Sequence, residues 1–442
     1  MKIPVLPGFD PEAFAKYVKN AGWLMIGKVG TLLIKMLVGI AIANYLGADG
    51  NGVLAYPMAL ITFFIAASGL GLDAYLTREL IEKKALCDYL LGTAFRIRLF
   101  AGILVLPLIY AVYAWIALSA SPPVPFSYIV IVSFVCLFQA MNVLDCYFQS
   151  LAQGKRIMIV HMCANLLSAI LKLLLIYFKA SISWFIWMLL FDAIFIALGF
   201  IAIYLQSGRS IAAWKFDRKI ARILIQNAWP LMFTAILISL YMKIDQVMIG
   251  VMLPESELGI YSTVVSLSES WYFIPVAIVA AVFPAIMHAR RTDKQRYKKR
   301  LQNLYDVLSL LSISIALIMT FASPYLYKLL YTTAYQSGAK VLSIHIWAGV
   351  FVFLGTASGQ YLIAERYLKL SMLRTAAGAI VNIGLNFWWI PLFGINGAAM
   401  ATLVAYAVST FLVLCIPKTY AQGVMMLKSI FLMHLVKRIF NR

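Results

Sequence analysis

Charge is what this sequence has least of. Asp, Glu, Lys and Arg together make up 12% of its 442 residues, and hydrophobic residues make up 63%. Charged residues alone supply about a quarter of an ordinary soluble domain, so a soluble fold of this length is excluded and the bilayer is the expected solvent. Cysteine is scarce as well. Cys87, Cys136, Cys146, Cys163 and Cys415 show no paired spacing, which argues against a disulfide framework or a zinc site. The four histidines, His161, His288, His345 and His434, are scattered. No G-x-x-x-x-G-K-[ST] phosphate cradle and no HExxH or GxSxG motif occurs, so neither ATP hydrolysis nor a familiar hydrolase centre is expected. No small-residue cleavage signature follows the first apolar run, and no removable signal peptide is read.

What the sequence has is a row of membrane-length apolar runs, about twelve of them by the length a helix needs to cross hydrocarbon. They lie near 22–45, 53–75, 93–118, 126–149, 157–178, 182–206, 224–250, 257–287, 301–323, 339–363, 367–390 and 394–417. The segment Pro324–Ala339 is expected at the outer surface. The formal net charge of +20 is sorted by connector. One alternate set holds Lys16 and Lys19, Arg78 and Lys83, Lys155 and Arg156, Arg209 to Arg222, Arg290 to Arg300, Arg366 and the tail. The other set holds little beyond Lys179, Lys328 and Lys340. This positive-inside pattern predicts an even number of spans with both termini in the cytoplasm, and it assigns the cations to topology and anionic lipid. Nucleic acid is not an expected partner.

The chain also repeats. Asn20-Ala21-Gly22-Trp23-Leu24-Met25 opens the first span and Asn227-Ala228-Trp229-Pro230-Leu231-Met232 opens the seventh, at an offset of 207 residues. Leu46 and Leu253, and Gly52 and Gly259, share that offset. Six spans between copies means that both halves cross in the same sense, as in parallel transporter repeats. The expected fold class is therefore an all-α polytopic membrane protein, with about twelve transmembrane helices in two pseudo-symmetric six-helix lobes around a central cavity. The expected divisions are an N-terminal lobe over 1–206 with an interfacial segment around Phe14, Tyr17 and Val18, a basic cytoplasmic linker over 207–223, a C-terminal lobe over 224–417, and a cytoplasmic amphipathic tail over 418–442. The tail carries Leu427, Phe431, Leu435 and Ile439 beside Lys428, Lys437 and Arg438, the composition of an interfacial helix.

Ionisable groups inside a bilayer are expensive and mark function or pairing. Lys28, Arg96, Arg98, Lys172 and Lys369 stand near span ends, where long side chains snorkel. Lys28 and Lys35 are two turns apart and share a helix face. Lys35 and Lys243 stand at nearly the same depth in the first helix of each half, which predicts either a cation-lined cavity for an anionic substrate or a buried ion pair. Arg374 suits bidentate phosphate binding. Substrate binding is thus assigned to Lys28, Lys35, Lys243 and Arg374. Asp73, Asp145, Asp192, Asp245 and Glu269 are the intramembrane acids, for ion coupling or structural pairing. Lys243 or Asp245 is expected to pair with Glu269. Asn165, Asn382 and Asn386 are expected to bond between helices, and Pro230, Pro275, Pro284, Gly27, Gly30 and Gly39 to bend or pack them.

Several segments resemble a known family. Leu46-Gly-Ala-Asp-Gly-Asn-Gly52-Val-Leu-Ala-Tyr56 is similar to the first outer turn of polysaccharide transporters, and Gly69-Leu-Gly-Leu-Asp73-Ala-Tyr-Leu-Thr-Arg78-Glu79-Leu80 and Leu91-Gly-Thr-Ala-Phe-Arg96-Ile-Arg98 to the motif that follows. Lys243-Ile-Asp245-Gln-Val-Met-Ile-Gly, Pro324-Tyr-Leu-Tyr-Lys-Leu-Leu-Tyr331 and Pro391-Leu-Phe-Gly394-Ile-Asn-Gly397-Ala-Ala fit in order. The chain resembles the O-antigen and capsule flippases of the multidrug/oligosaccharidyl-lipid/polysaccharide exporter superfamily. That resemblance implies two six-helix lobes around a cationic lumen, in a bacterial inner membrane. It implies alternating-access export of an undecaprenyl-diphosphate-linked oligosaccharide, coupled to H+ or Na+ with no other cofactor. It also implies a glycan polymerase and a chain-length regulator as pathway partners. The competing readings are a multidrug or metabolite exporter, disfavoured by Lys35, Lys243 and Arg374, and a glycan polymerase or ligase, disfavoured by short outer loops; no enzyme activity is expected.

Overall fold

The computed structural model describes residues 11–119 and 124–431. Among them no strand occurs. A chain that threads hydrocarbon must satisfy every backbone N–H and C=O internally, and a helix does this within one segment. The helices are α1 (Pro11–Gly69), α2 (Leu72–Glu82), α3 (Cys87–Ser119), α4 (Phe126–Ser133), α5 (Val135–Phe138), α6 (Val143–Ser150), α7 (Gly154–Tyr177), α8 (Ile182–Gln206), α9 (Arg218–Met252), α10 (Glu255–Glu269), α11 (Phe273–Thr292), α12 (Lys294–Leu330), α13 (Gly338–His345), α14 (Ala348–Ala364), α15 (Leu368–Phe411) and α16 (Tyr420–Ile430).

Ten helical stretches of the described chain are long and apolar enough to cross a membrane. Two of them, Gly22–Glu82 and Lys369–Cys415, run to 61 and 47 residues, about twice what one crossing needs. Each is folded back at a glycine: Gly47 has φ 70° in α1 and Gly394 has φ 59° in α15, a region where a side chain is strained. Counting both arms gives the twelve spans expected from hydropathy. Within Pro324–Ala339, α12 runs through Pro324 to Leu330, Tyr325 and Leu329 are exposed, and Tyr327, Tyr331 and Tyr335 are buried against one another.

The chain divides into two compact units, Met1–Tyr45 with Tyr56–Ser239, and Leu46–Ala55 with Leu240–Arg442. These boundaries differ from the expected ones, and packing explains why. In the first unit the segment expected as a linker is strapped down. Lys215 N–H donates to the Asp88 carbonyl at 3.2 Å and Asp217 N–H to Thr93 Oγ1 at 3.0 Å. Trp214 donates to Tyr204 OH at 3.1 Å and stacks near Phe95. Gly92 admits this strap, because a Cβ there would lie 2.7 Å from Lys215 N. The first half of α9 follows the strap into the same core, where Leu224 and Ala228 pack with Leu72, Leu90 and Phe200.

In the second unit the two glycines matched by the repeat meet each other. A Cβ on Gly52 would overlap the Glu255 carbonyl, and one on Gly259 would overlap the Ala48 carbonyl and lie 2.9 Å from Gly52 N. Ala48 and Glu255 themselves stand 207 residues apart, so the crossing of segments 46–55 and 253–262 is locally two-fold. Asn51 Nδ2 clips it by donating to the Gly259 carbonyl and to Ser262 Oγ, both at 2.9 Å. The tail begins as α16, which is packed rather than free. Met426 enters the core, Gln302 donates to Ser429 Oγ at 2.7 Å, and Gln422 donates to Tyr305 OH at 2.8 Å. Leu435, Lys437, Arg438 and Ile439 lie outside the described residues. The Phe14–Lys19 segment is helical as the start of α1, and its side chains lie outside the described residues.

Candidate functional site

Each unit carries its own set of intramembrane charges. In the first, Lys35 on α1 has an exposed side chain and no carboxylate within 4.0 Å among the described residues. The charges that act on it belong to Asp192 on α8 and Lys172 on α7. Those two neutralise each other, with Lys172 Nζ to Asp192 Oδ2 at 2.7 Å, and Ser168 Oγ donates to the other carboxylate oxygen. Lys172 is therefore an ion-pair partner rather than a snorkelling residue. Lys28, also exposed, lies in electrostatic range of Asp145 on α6 and His161 on α7, and Asp145 accepts from Gln149 at 3.2 Å.

Arg98 likewise does not snorkel. It is 2% exposed and its Nη2 lies 2.7 Å from Asp73 Oδ1, a carboxylate that is itself 71% exposed. The pair ties α2 to α3, and Cys146 Sγ approaches Asp73 at 3.5 Å. Asn165 is also corrected: its amide donates to the His161 carbonyl one turn back at 2.6 Å, not to another helix. Arg96 is exposed and lies over the Phe216 ring at 5.8 Å.

In the second unit Lys243 and Asp245 point to different sides of α9, as a two-residue spacing requires. Lys243 Nζ pairs with Glu269 Oε2 on α10 at 3.1 Å, each about a fifth exposed. Asp245 is buried and has no cation within 4.0 Å among the described residues. Its partners are neutral donors: Tyr261 OH at 2.5 Å, Gln246 N–H at 2.7 Å and Thr402 Oγ1 at 3.3 Å. Asn382 donates to Thr402 Oγ1 at 3.4 Å, linking the two arms of α15, and Asn386 donates to Asn382 at 3.0 Å. The Asn386 side-chain oxygen is buried with no partner. This is a buried, oxygen-rich nest around one carboxylate.

Among the described residues Arg374 on α15 bonds only to neutral acceptors, Ser358 Oγ and the Gly355 carbonyl, each at 2.9 Å, and its Nε has no partner. Gly359 leaves room for it, since a Cβ there would lie 3.2 Å from the guanidinium. Of the four cations assigned to substrate, Lys28, Lys35 and Arg374 thus lack a carboxylate partner among the described residues, and Lys243 has one. Sequence reading missed Tyr261, Thr402, Ser168 and His345, the last 2% exposed and bonded to Ser268 Oγ at 2.9 Å. Uncharged donors in an apolar helix give no periodic signal, so only the contacts identify them.

The matched glycines, the kinked helices and these charges can be set beside known proteins. The fold is shared with transporters of the MOP superfamily. An inward-facing multidrug resistance MATE family transporter superposes with a TM-score of 0.72 at 13% identity, covering 90% of this chain and 95% of that one. A MOP superfamily transporter from Pyrococcus furiosus, reported for the reverse polarity of its binding pocket, superposes with a TM-score of 0.60 at 14% identity, covering 94% of this chain and 96% of that one. In sequence, the chain is 24% identical over 173 residues to the probable low-salt glycan biosynthesis flippase Agl15 of Haloferax volcanii, and 28% identical over 183 residues to the probable flippase AglR of the same organism. These matches cover 39% and 40% of this chain, and the chain spans only 37% and 38% of the curated relatives' length. Residues 41–340, more than half of the chain, match the profile described as polysaccharide biosynthesis protein: this multi-pass membrane protein belongs to the polysaccharide biosynthesis protein family and has the fold of the MOP superfamily transporters.

Proposed function

We propose that the protein is a flippase that moves a lipid-linked oligosaccharide from the cytoplasmic to the outer leaflet of a bacterial inner membrane by alternating access, for O-antigen, capsule or exopolysaccharide synthesis. The single observation that carries this reading, given the family, is Lys35. It is a cation about 13 residues into a span, roughly 20 Å along the helix, with no carboxylate in pairing distance among the described residues. An unpaired ammonium at that depth is costly unless it meets water or an anionic ligand, and an undecaprenyl diphosphate supplies the anion. Arg374, held by neutral acceptors only, is a second donor for phosphate oxygens, and Lys28 extends the cationic face of α1. Lys243, neutralised by Glu269, contributes through exchange of partners or not at all. The positive-inside pattern supports cytoplasmic termini, and a polymerase and chain-length regulator would receive the product.

Coupling falls to Asp245. A buried carboxylate without a cation holds a proton or binds a small monovalent cation. Hydroxyls of Tyr261 and Thr402 and the free Asn386 oxygen suit a hard ion such as Na+. The cationic-drug exporter reading fits less well, because Asp192 and Glu269 are already neutralised by lysines.

The test is translocation of a fluorescent polyprenyl-diphosphate disaccharide in proteoliposomes. Charge-assisted hydrogen bonds contribute about 1.5–3 kcal/mol, so Lys35→Ala slows translocation about ten- to hundredfold while Lys35→Arg retains most of it. Asp245→Asn abolishes the response to an imposed Na+ or proton gradient. Wild-type rates in Lys35→Ala at matched protein level would remove the substrate assignment.

A further inference from the structure

A cavity stands apart from these charges. It is an open pocket of about 420 Å³ in the second unit, where the α9–α10 turn, the turn before α13 and the bend of α15 come together. Ser256, Glu257, Ser337 and Asn396 line it with Phe393 and Gly394. All four polar side chains have unused bonding capacity. The Asn396 oxygen has no hydrogen-bond partner, and the Glu257 carboxylate and both serine hydroxyls make no side-chain hydrogen bond or ion pair among the described residues. Phe393 is 52% exposed and offers a ring face.

The walls are fixed. The α9–α10 turn is held by the Gly52–Gly259 crossing. The turn bearing Ser337 is followed by Gly338, where a Cβ would lie 2.6 Å from the Tyr327 ring, and it rests on the stacked rings of Tyr327, Tyr331 and Tyr335. Asn396 is next to Gly397, which packs against the Trp389 backbone with a would-be Cβ 2.5 Å from its carbonyl carbon. Rigid walls spare a ligand the cost of ordering them.

We propose that this cavity is a glycosyl subsite on the non-cytoplasmic side, holding one neutral or amino sugar of the translocated glycan. The chemistry selects the ligand class. One carboxylate and no lining cation disfavour phosphate or sulfate. One carboxylate is too few for a divalent cation, which takes six or more oxygens. Four unsatisfied polar groups disfavour an acyl chain. A pyranose presents hydroxyls to carboxylate, amide and serine groups and an apolar C–H face to an aromatic ring, and the volume lies in the range of small-ligand pockets, about 300–1,000 Å³. The choice of an exported glycan as the source rests on the flippase reading, and the positive-inside pattern puts these three turns on the outer side.

The experiment is saturation-transfer difference NMR on the protein in lipid nanodiscs, with methyl glycosides of glucose, galactose, rhamnose, N-acetylglucosamine and glucosamine, and with inorganic phosphate monitored by 31P line width. At least one glycoside shows transfer. Glu257→Gln and Phe393→Leu each reduce it several-fold with unchanged thermal unfolding, and phosphate does not broaden. Absence of transfer from every glycoside, or transfer unchanged in both variants, overturns the subsite, as does phosphate binding lost in Glu257→Gln. Glycoside binding in a protein that does not translocate the polyprenyl-diphosphate disaccharide would retain the subsite and sink the flippase reading; translocation without glycoside binding would do the reverse.

Discussion

Replacing Gly259 by alanine separates two opposing effects whose sizes the structure supplies. In an exposed helix interior Gly→Ala stabilises by about 0.8–1.0 kcal/mol, because glycine loses more backbone freedom on folding. Gly39 meets that condition, with nothing within 4 Å of a new Cβ. At Gly259 the new Cβ would lie 2.8 Å from the Ala48 carbonyl carbon and overlap its oxygen. Carbon atoms in good contact stand about 3.5–4.0 Å apart, so the crossing segments must part by roughly 1 Å. Both obstructing atoms are backbone, and no rotamer change relieves them. Overpacking of this kind costs about 1–3 kcal/mol, enough to outweigh the propensity gain. Gly259→Ala and Gly52→Ala should therefore each lower the melting temperature followed by tryptophan fluorescence in detergent, whereas Gly39→Ala should raise it or leave it unchanged. Because both new methyls enter one crossing, the double variant should cost less than the sum of the singles, as coupled neighbours do. A Gly259→Ala protein that melts at or above the wild type would refute the close approach, and strict additivity would refute the shared crossing.

Two further outcomes follow from charges that the sequence alone did not place. Asp73→Asn should destabilise more than Arg98→Met, since the first strands a guanidinium that is 2% exposed and the second frees a carboxylate already 71% exposed; removing one partner of a fully buried pair costs about 3–5 kcal/mol, solvent at the Asp73 carboxylate makes the loss here smaller, and equal losses of melting temperature would contradict that asymmetry. Asp293, in the loop before α12, caps that helix by accepting the N–H groups of Gln295 at 2.8 Å and Arg296 at 3.1 Å, which holds its carboxyl below the usual range. A depressed carboxyl contributes stability above its unfolded pKa and loses it as pH falls through the folded one, so Asp293→Ala should melt lower than wild type at pH 7 and converge with it toward pH 3; a difference that stays constant with pH would exclude the cap.

Much of the fold was legible because one physical rule dominates it. Hydrocarbon admits only segments of a fixed length, so twelve runs could be counted, and the glycines at an offset of 207 proved to face each other. The unit boundaries were not legible. They depend on Gly92 admitting a backbone strap and on Leu224 and Ala228 entering a core, and neither a missing Cβ nor two more apolar residues stand out in a sequence that is 63% hydrophobic. The same holds for Arg98 and Lys172. Distance from a span end suggested snorkelling, but Asp73 and Asp192 arrive from other helices, and contact across helices has no sequence period.

The repeat explains why Lys35 and Lys243 are unequal. At the common offset of 207, Glu269 falls opposite Thr62, and Asp245 falls opposite Val38. The hydroxyl of Thr62 is turned back on its own helix, donating to the Met58 carbonyl at 2.6 Å. Lys35 itself falls opposite Met242, one residue before Lys243, so the first half has a lysine one position out of register and no acid at the position of Glu269, whereas the second half has a lysine, its acid and a further buried carboxylate. Duplication kept the skeleton, including the glycine crossing, and the charges diverged on it. One half is left with a cation that has no carboxylate partner among the described residues, and the other with an acid held by neutral donors. The proposed function needs that division, because an acid placed beside Lys35 would compete with an anionic substrate for it. Thr62→Glu puts a carboxylate at the position of Glu269 and should slow translocation about as much as Lys35→Ala does; wild-type translocation in that variant would show that the new acid does not compete for Lys35.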